Sequence, residues 1–223
     1  MPCGYCREWG HNKRTCPSIL IDQNGDSVPV CAHYGAISLR GKLPPLRTIW
    51  TYRNNNDAYS SYTNETIVQL SPEIDHVFEI QLLNTAFNMF QNDIEIRNVT
   101  RYEKSVALAL ANCVNNTNIT TQSINASKKG PFTRAKNDLI KRDYEFESCP
   151  GVDSYIYTTG GRRRTALYTG ISCQNWKNIK NEVIHSYDHI AESVQNEFSS
   201  ESRAALFADH LHTVFMSLKL EDP

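Results

Sequence analysis

At 223 residues, 40% hydrophobic and 10% aromatic, the chain has the composition of one generous globular domain, or of one domain with a small appendage, and not of a disordered or fibrous protein. A net charge of −1 excludes binding to nucleic acid through bulk positive charge, so any such role falls to local basic clusters. No apolar run approaches the ~18–20 residues of a membrane span, and the opening "MPCGYCREWG" lacks the apolar stretch of a secretory signal. The expectation is a protein with no membrane partner, not secreted, and nuclear or cytoplasmic.

The chain holds seven cysteines, three of them crowded near its start, which in a reducing compartment points to metal binding and not to disulfides. "CGYCREWGHNKRTC" sets Cys3, Cys6, His11 and Cys16 at the spacing C-x2-C-x4-H-x4-C. Three thiolates and one imidazole close a tetrahedral zinc site with no open position for chemistry. So short a segment has no core of its own, so the metal supplies its folding energy. The spacing and "GHNKRTCP" resemble the CCHC zinc knuckles of retroviral nucleocapsids and transposon-associated proteins. That likeness implies single-stranded nucleic acid as ligand, with bases stacked on Tyr5 and Trp9 and phosphates met by Arg7, Lys13 and Arg14.

Past Pro17, two short β-prone runs flank Asn24-Gly25, a hairpin signal. Residues 41–64 read as loop, with one strand at Thr48–Tyr52. "EIDHVFEI" at 73–80 reads as a strand that carries Asp75-His76. Leu82, Leu83, Ala86, Phe87, Met89 and Phe90 recur at helical spacing, as do Val106, Leu110 and Cys113. "TNITTQ" is β-prone through its Thr and Ile content. Ser123 is placed to cap a short helix carrying Asn125, which Gly130-Pro131 would end. Residues 152–170 alternate around Gly160-Gly161 and read as a β-hairpin whose tip carries Arg162, Arg163 and Arg164, three guanidiniums suited to a nucleic-acid backbone. Two amphipathic helices close the chain within 176–220.

Strand, helical excursion, strand and helix, with Asp75-His76 on the first strand and Asn125 on the last helix, resemble the ββα-metal core of HNH endonucleases. "EIDH" matches their first-strand signature, commonly [DE]-[IV]-D-H-[IV]. Asn116 followed by Asn125 and "ASKKG" matches their second-strand-to-helix signature, an Asn followed later by N-x-x-K. The likeness implies His76 as general base, Asp75 and Asn125 as ligands of one Mg²⁺ or Mn²⁺, and Asn116 as the residue that shapes the loop and helps fix the histidine. His76 and Asn125 stand farther apart than in compact members, so 81–113 is expected to be a helical insertion.

The residues make chemical sense by themselves. An imidazole suits water deprotonation near neutral pH, and a carboxylate with an amide carbonyl forms a hard oxygen donor set. Lys128, Lys129, Arg134 and Lys136 follow Asn125 closely enough to meet flanking phosphates. Glu79 is a spare acid there, though an exposed strand Glu is the plainer reading. His185, His189, His210 and His212 read as solvent-facing or satisfied, and Cys31, Cys113, Cys149 and Cys173 mostly as buried thiols.

The expectation is therefore an α+β chain: a CCHC knuckle at 1–17 and an HNH-like nuclease domain at 18–223, with its core at 72–138. It would cut DNA, or less readily RNA. The alternative is a non-catalytic nucleic-acid-binding protein whose knuckle recognises single strands and whose remainder is a scaffold or oligomerisation domain. A remoter one is a knuckle adaptor that binds protein.

Overall fold

A computed structural model describes residues 19–21, 27–29, 43–44, 46–47, 49, 58–67, 72–93, 99–156, 171–198 and 200–220. The knuckle residues Cys3, Tyr5, Cys6, Arg7, Trp9, His11, Lys13, Arg14 and Cys16 lie outside this set, as do Cys31 and the arginines at 162–164.

The described chain is mixed α+β, mostly helical, with three two-stranded antiparallel sheets. β1 (Ile19–Ile21) and β2 (Ser27–Pro29) are the two β-prone runs, and they pair across the segment that contains Asn24-Gly25. β3 (Tyr59–Ser60) pairs with β4 (Glu65–Thr66) around a turn in which Asn64 takes a positive φ. β5 (Glu73–His76) pairs with β6 (Thr117–Thr120). Between β5 and β6 run α1 (Ile80–Asn92) and α2 (Arg101–Ala111). The helical excursion thus begins and ends on neighbouring strands. α3 (Gln122–Lys141), α4 (Cys173–Glu197) and α5 (Glu201–Met216) follow. Among the described residues no helix is long and apolar enough to cross a membrane.

Of these five helices all but α1 start on a side-chain cap. Thr100 and Glu103 form a capping box at α2, in which the threonine oxygen accepts from the Glu103 N–H and the glutamate accepts from the Thr100 N–H. Ser172 and Ser200 cap α4 and α5 by accepting from Asn175 and Arg203. Thr100→Ala should cost about 1 kcal/mol of stability, read as a lower urea midpoint with an unchanged slope; no change would mean that Glu103 holds α2 without the cap.

The core lies where α1, α4 and α5 meet. Phe87 stands edge-on to Phe207 at 5.6 Å, and Phe198 stacks on Phe207 at 5.0 Å. Glu103 is fully buried and takes a bidentate ion pair from Arg203, whose guanidinium lies 5.3 Å from the Phe90 ring centre. α2 is thereby tied to α5, and the excursion is packed against the tail helices instead of standing free.

The fold corrects five sequence expectations. The strand that begins at Glu73 ends at His76, and Ile80 already opens α1. Thr121, not Ser123, caps α3, accepting from the Ile124 N–H. α3 then runs on through Gly130-Pro131 to Lys141. A proline removes one helical hydrogen bond, but Ile124, Phe132, Ala135 and Leu139 are buried on one face, and that packing carries the helix across the break. Residues 152–155, read as the start of a hairpin, form a 3₁₀ turn. Gly151 makes that turn possible with φ of 81° and a Lys219 carbon only 2.8 Å from where its Cβ would sit. The Val152 N–H bonds to the Leu218 carbonyl, and Asp153 accepts from Trp176 and Lys180. Docking onto the tail overrides the local alternation, while 157–170 lie outside the described residues. Ile49, expected in a strand, is helical and buried.

Candidate active site

The β5–β6 ribbon sorts its side chains onto two faces. Register pairs Glu73 with Thr120 and Asp75 with Asn118 on one face, and Ile74 with Ile119 and His76 with Thr117 on the other. α3 lies against the first face. The Asn125 amide donates to the Glu73 carboxylate at 3.0 Å, and one turn later the Lys128 ammonium meets Asp75 at 2.8 Å. The β3–β4 turn reaches the same face: the Tyr62 hydroxyl donates to Asp75 Oδ2 at 2.8 Å, and Ser61 donates to the Asn118 carbonyl.

Lys128 is therefore not a surface contact for phosphate. It is fully buried, and its ammonium donates to Asp75, to Glu79 at 3.0 Å and to the His76 backbone carbonyl. Glu79, read as an exposed strand glutamate, is buried beside it at the start of α1. A lone ammonium in that place would lose its proton, because burial disfavours charge. Here burial acts to lower the Lys128 pKa, but Asp75 and then Glu79 outweigh it and hold the group above the ordinary lysine value. Burial pushes the Glu79 carboxyl above its usual range, with Lys128 pulling the other way. Burial, reinforced by the Asp75 charge, raises the Tyr62 phenol well above its ordinary value, so it stays a donor. Two carboxyl groups share this one ammonium.

His76 ends β5, half-buried, with Nε2 3.1 Å from Asn112 Oδ1. Asn112 turns its own amide nitrogen to the Leu108 carbonyl at 2.8 Å, so it presents oxygen to the ring. The His76 Nε2–H then donates, and in the neutral imidazole Nδ1 is the basic nitrogen.

Asn116 is fully buried and clamps both ends of the excursion. Its carbonyl accepts from the Phe78 N–H at 2.7 Å and from the Ser186 hydroxyl at 2.6 Å; its amide donates to the Phe78 and Ala111 carbonyls at 3.2 and 2.8 Å. The backbone two residues past His76 is thus anchored to the strand that brings in Asn118, and to the α4 face that carries Ser186.

Whether a hard cation fits can be judged from the donor atoms. The hydrogen bonds on Asp75 both land on Oδ2, and the one on Asn125 uses Nδ2, so each side chain keeps one oxygen outside those bonds. Thr120 Oγ1, on the same face, is fully buried with no hydrogen-bond partner among the described residues, and water held by an ion would satisfy it. Asp75, Asn125 and bound water suit Mg²⁺ or Mn²⁺ chemistry. Among the described residues no three His, Cys, Asp or Glu side chains form a metal-holding group, which an Asp–Asn donor pair does not require.

Lys129 and Arg134 are exposed on α3 and Lys136 is half-buried. His185 and His189 share a cleft of about 430 Å³ with Tyr59, Ser61, Asn115, Glu182 and Ser186, and Asn115 bonds His189 at 3.0 Å. His212 bonds the Tyr187 hydroxyl, and His210 faces Asp93 at 3.9 Å. Of the described cysteines Cys149 is buried, Cys113 half-buried and Cys173 exposed, so the expectation of buried thiols fails at Cys173.

Sequence reasoning missed Tyr62, Glu73 and Asn112, and misread Lys128. Glu73 carried a readable signal, standing two residues before Asp75 on a strand and so on the same face. Tyr62 and Asn112 carried none, because their contacts are tertiary. No family model, no curated protein and no solved structure matches the chain.

Proposed function

We propose that the chain is a metal-dependent endonuclease of the HNH, ββα-metal type, with residues 72–138 as its core, 81–113 as a helical insertion and 1–17 as a CCHC zinc knuckle that engages the substrate. The observation that carries this reading is the placement of Asp75 and Asn125 on one side of the β5–β6 ribbon, where α3 crosses it, with His76 at the strand end. His76 Nδ1 takes the proton of the attacking water as its oxygen bonds phosphorus, and the bridging oxygen departs with the other strand fragment. Asp75 and Asn125 would hold the Mg²⁺ or Mn²⁺, which supplies Lewis-acid stabilisation of charge on the phosphate. Lys129, Arg134 and Lys136 meet flanking phosphates, and Asn112 keeps the His76 tautomer.

The test is cutting of labelled single- and double-stranded DNA and RNA with Mg²⁺ or Mn²⁺, with EDTA, and by Asn125→Ala. Cutting should require the cation and fall at least tenfold in the variant. No cutting of any substrate under either cation overturns the reading. The ion pair that Lys128 makes with Asp75 favours one rival, a non-catalytic nucleic-acid-binding protein in which Asp75 is structural. In that case Cys6→Ser abolishes all nucleic-acid activity and His76→Ala changes nothing.

A further inference from the structure

We infer that Glu73 and Tyr62 are positioning residues, each turning one cation ligand so that its oxygen points into the site; this rests on the reading of Asp75 and Asn125 as ligands. An asparagine side chain presents either a carbonyl oxygen or an amide nitrogen, and a half-turn about its last bond exchanges them. Only the oxygen binds a hard cation. A glutamate carboxylate accepts and does not donate, so at 3.0 Å from Asn125 Nδ2 it selects the nitrogen and turns the oxygen away from itself. Glu73 sits on the Asp75 face of the ribbon, half-buried, opposite Thr120, whose hydroxyl has no hydrogen-bond partner among the described residues.

Tyr62 does the same for Asp75 by a different route. Its hydroxyl and the Lys128 ammonium converge on one carboxylate oxygen, Oδ2, each at 2.8 Å. Two donors on one oxygen fix the carboxylate rotation and leave Oδ1 as the atom outside the pair. Tyr62 is itself held, since its backbone carbonyl accepts from Asn178 of α4 at 3.1 Å and its ring is fully buried. Partners that fix a ligand's orientation commonly set metal affinity by about 10- to 100-fold. Lys128 also contributes, but its removal strands two buried carboxylates and tests the fold first.

The experiment is Mn²⁺ binding to the full chain by loss of the free-ion paramagnetic resonance signal, alongside thermal melting and the kcat and KM of cutting. The variants are Glu73→Ala, Glu73→Gln and Tyr62→Phe, with Asn125→Ala reporting on the ligand assignment itself. Glu73→Ala should weaken Mn²⁺ binding about 10- to 100-fold, and Glu73→Gln should restore most of it, because the glutamine carbonyl still accepts from Asn125. Tyr62→Phe should weaken binding about tenfold. In all three KM for nucleic acid should stay near wild type. The melting temperature should stay near wild type in the Glu73 variants and fall by a few degrees in Tyr62→Phe, which loses a hydrogen bond to a buried carboxylate. If Asn125→Ala loses Mn²⁺ while Glu73→Ala and Tyr62→Phe bind as wild type, the ligands stand and the positioning role falls. Equal losses in Glu73→Ala and Glu73→Gln would make the Glu73 charge the active feature and also overturn the positioning role. A wild-type chain that binds no Mn²⁺ removes both the inference and the reading beneath it.

Discussion

Replacing His76 by alanine should lower divalent-dependent cutting by about 10²- to 10⁴-fold, with the fold and the affinity for nucleic acid unchanged. The magnitude is that of losing a positioned general base. The fold should survive because the His76 backbone, not its ring, joins the framework: the carbonyl accepts from Lys128, and the next two N–H groups bond to Asn116. The ring is half-buried, with Nε2 on Asn112. Asn112→Leu should then give a milder loss, since the imidazole stays but its tautomer is no longer selected. Measuring kcat across pH separates the two, because His76→Ala should also remove the limb that the general base contributes. Cutting that persists at wild-type rate in His76→Ala would sink the nuclease reading.

Lys128→Met should cost about 3–5 kcal/mol, the usual penalty for removing one partner of a buried ion pair. Met fills a similar volume, so the loss reports on charge and not on a cavity. The expected pH dependence gives a second check. Burial already holds the Glu79 carboxyl above its usual range, and Lys128 is the main force opposing that. Without the ammonium the shift grows. A carboxyl whose folded pKa lies above its unfolded value of about 4.3 binds its proton more tightly when folded, so its contribution is lost as pH rises between the two. The deficit of the variant should therefore be full at pH 7 and shrink toward pH 4, as followed by urea unfolding. A deficit below about 1 kcal/mol at pH 7 would show that the two carboxylates reach water once Lys128 is gone.

The same region shows how far a linear reading reaches. A strand holding Asp75-His76, a strand beginning at Thr117 and a helix carrying Asn125 were legible from neighbouring residue types. The first strand nonetheless stops at His76 and not at Ile80, and Thr121, not Ser123, caps the helix. These are local signals between neighbours two to four positions apart. The position of α3 against the ribbon was not legible. "NASKKG" looks like a basic surface run, and nothing within it tells Lys128 from Lys129. Helix geometry separates them by a rotation of about 100°, and only the crossing of α3 over β5 decides that the first is fully buried and the second exposed.

By itself, the sequence determined that the chain is α+β, where most helices and the main strands lie, and which side chains have the chemistry to hold a hard cation or move a proton. Tertiary structure decided which of them meet. Asp75 and Lys128 are 53 positions apart, and Asn116 and Ser186 are 70 apart. Their contacts depend on strand register and helix crossing, which are set by burying the aromatic core between α1, α4 and α5. The same burial carries α3 past Pro131 and folds 152–155 into a turn against the tail, because tertiary packing outweighs local preferences of about 1–3 kcal/mol.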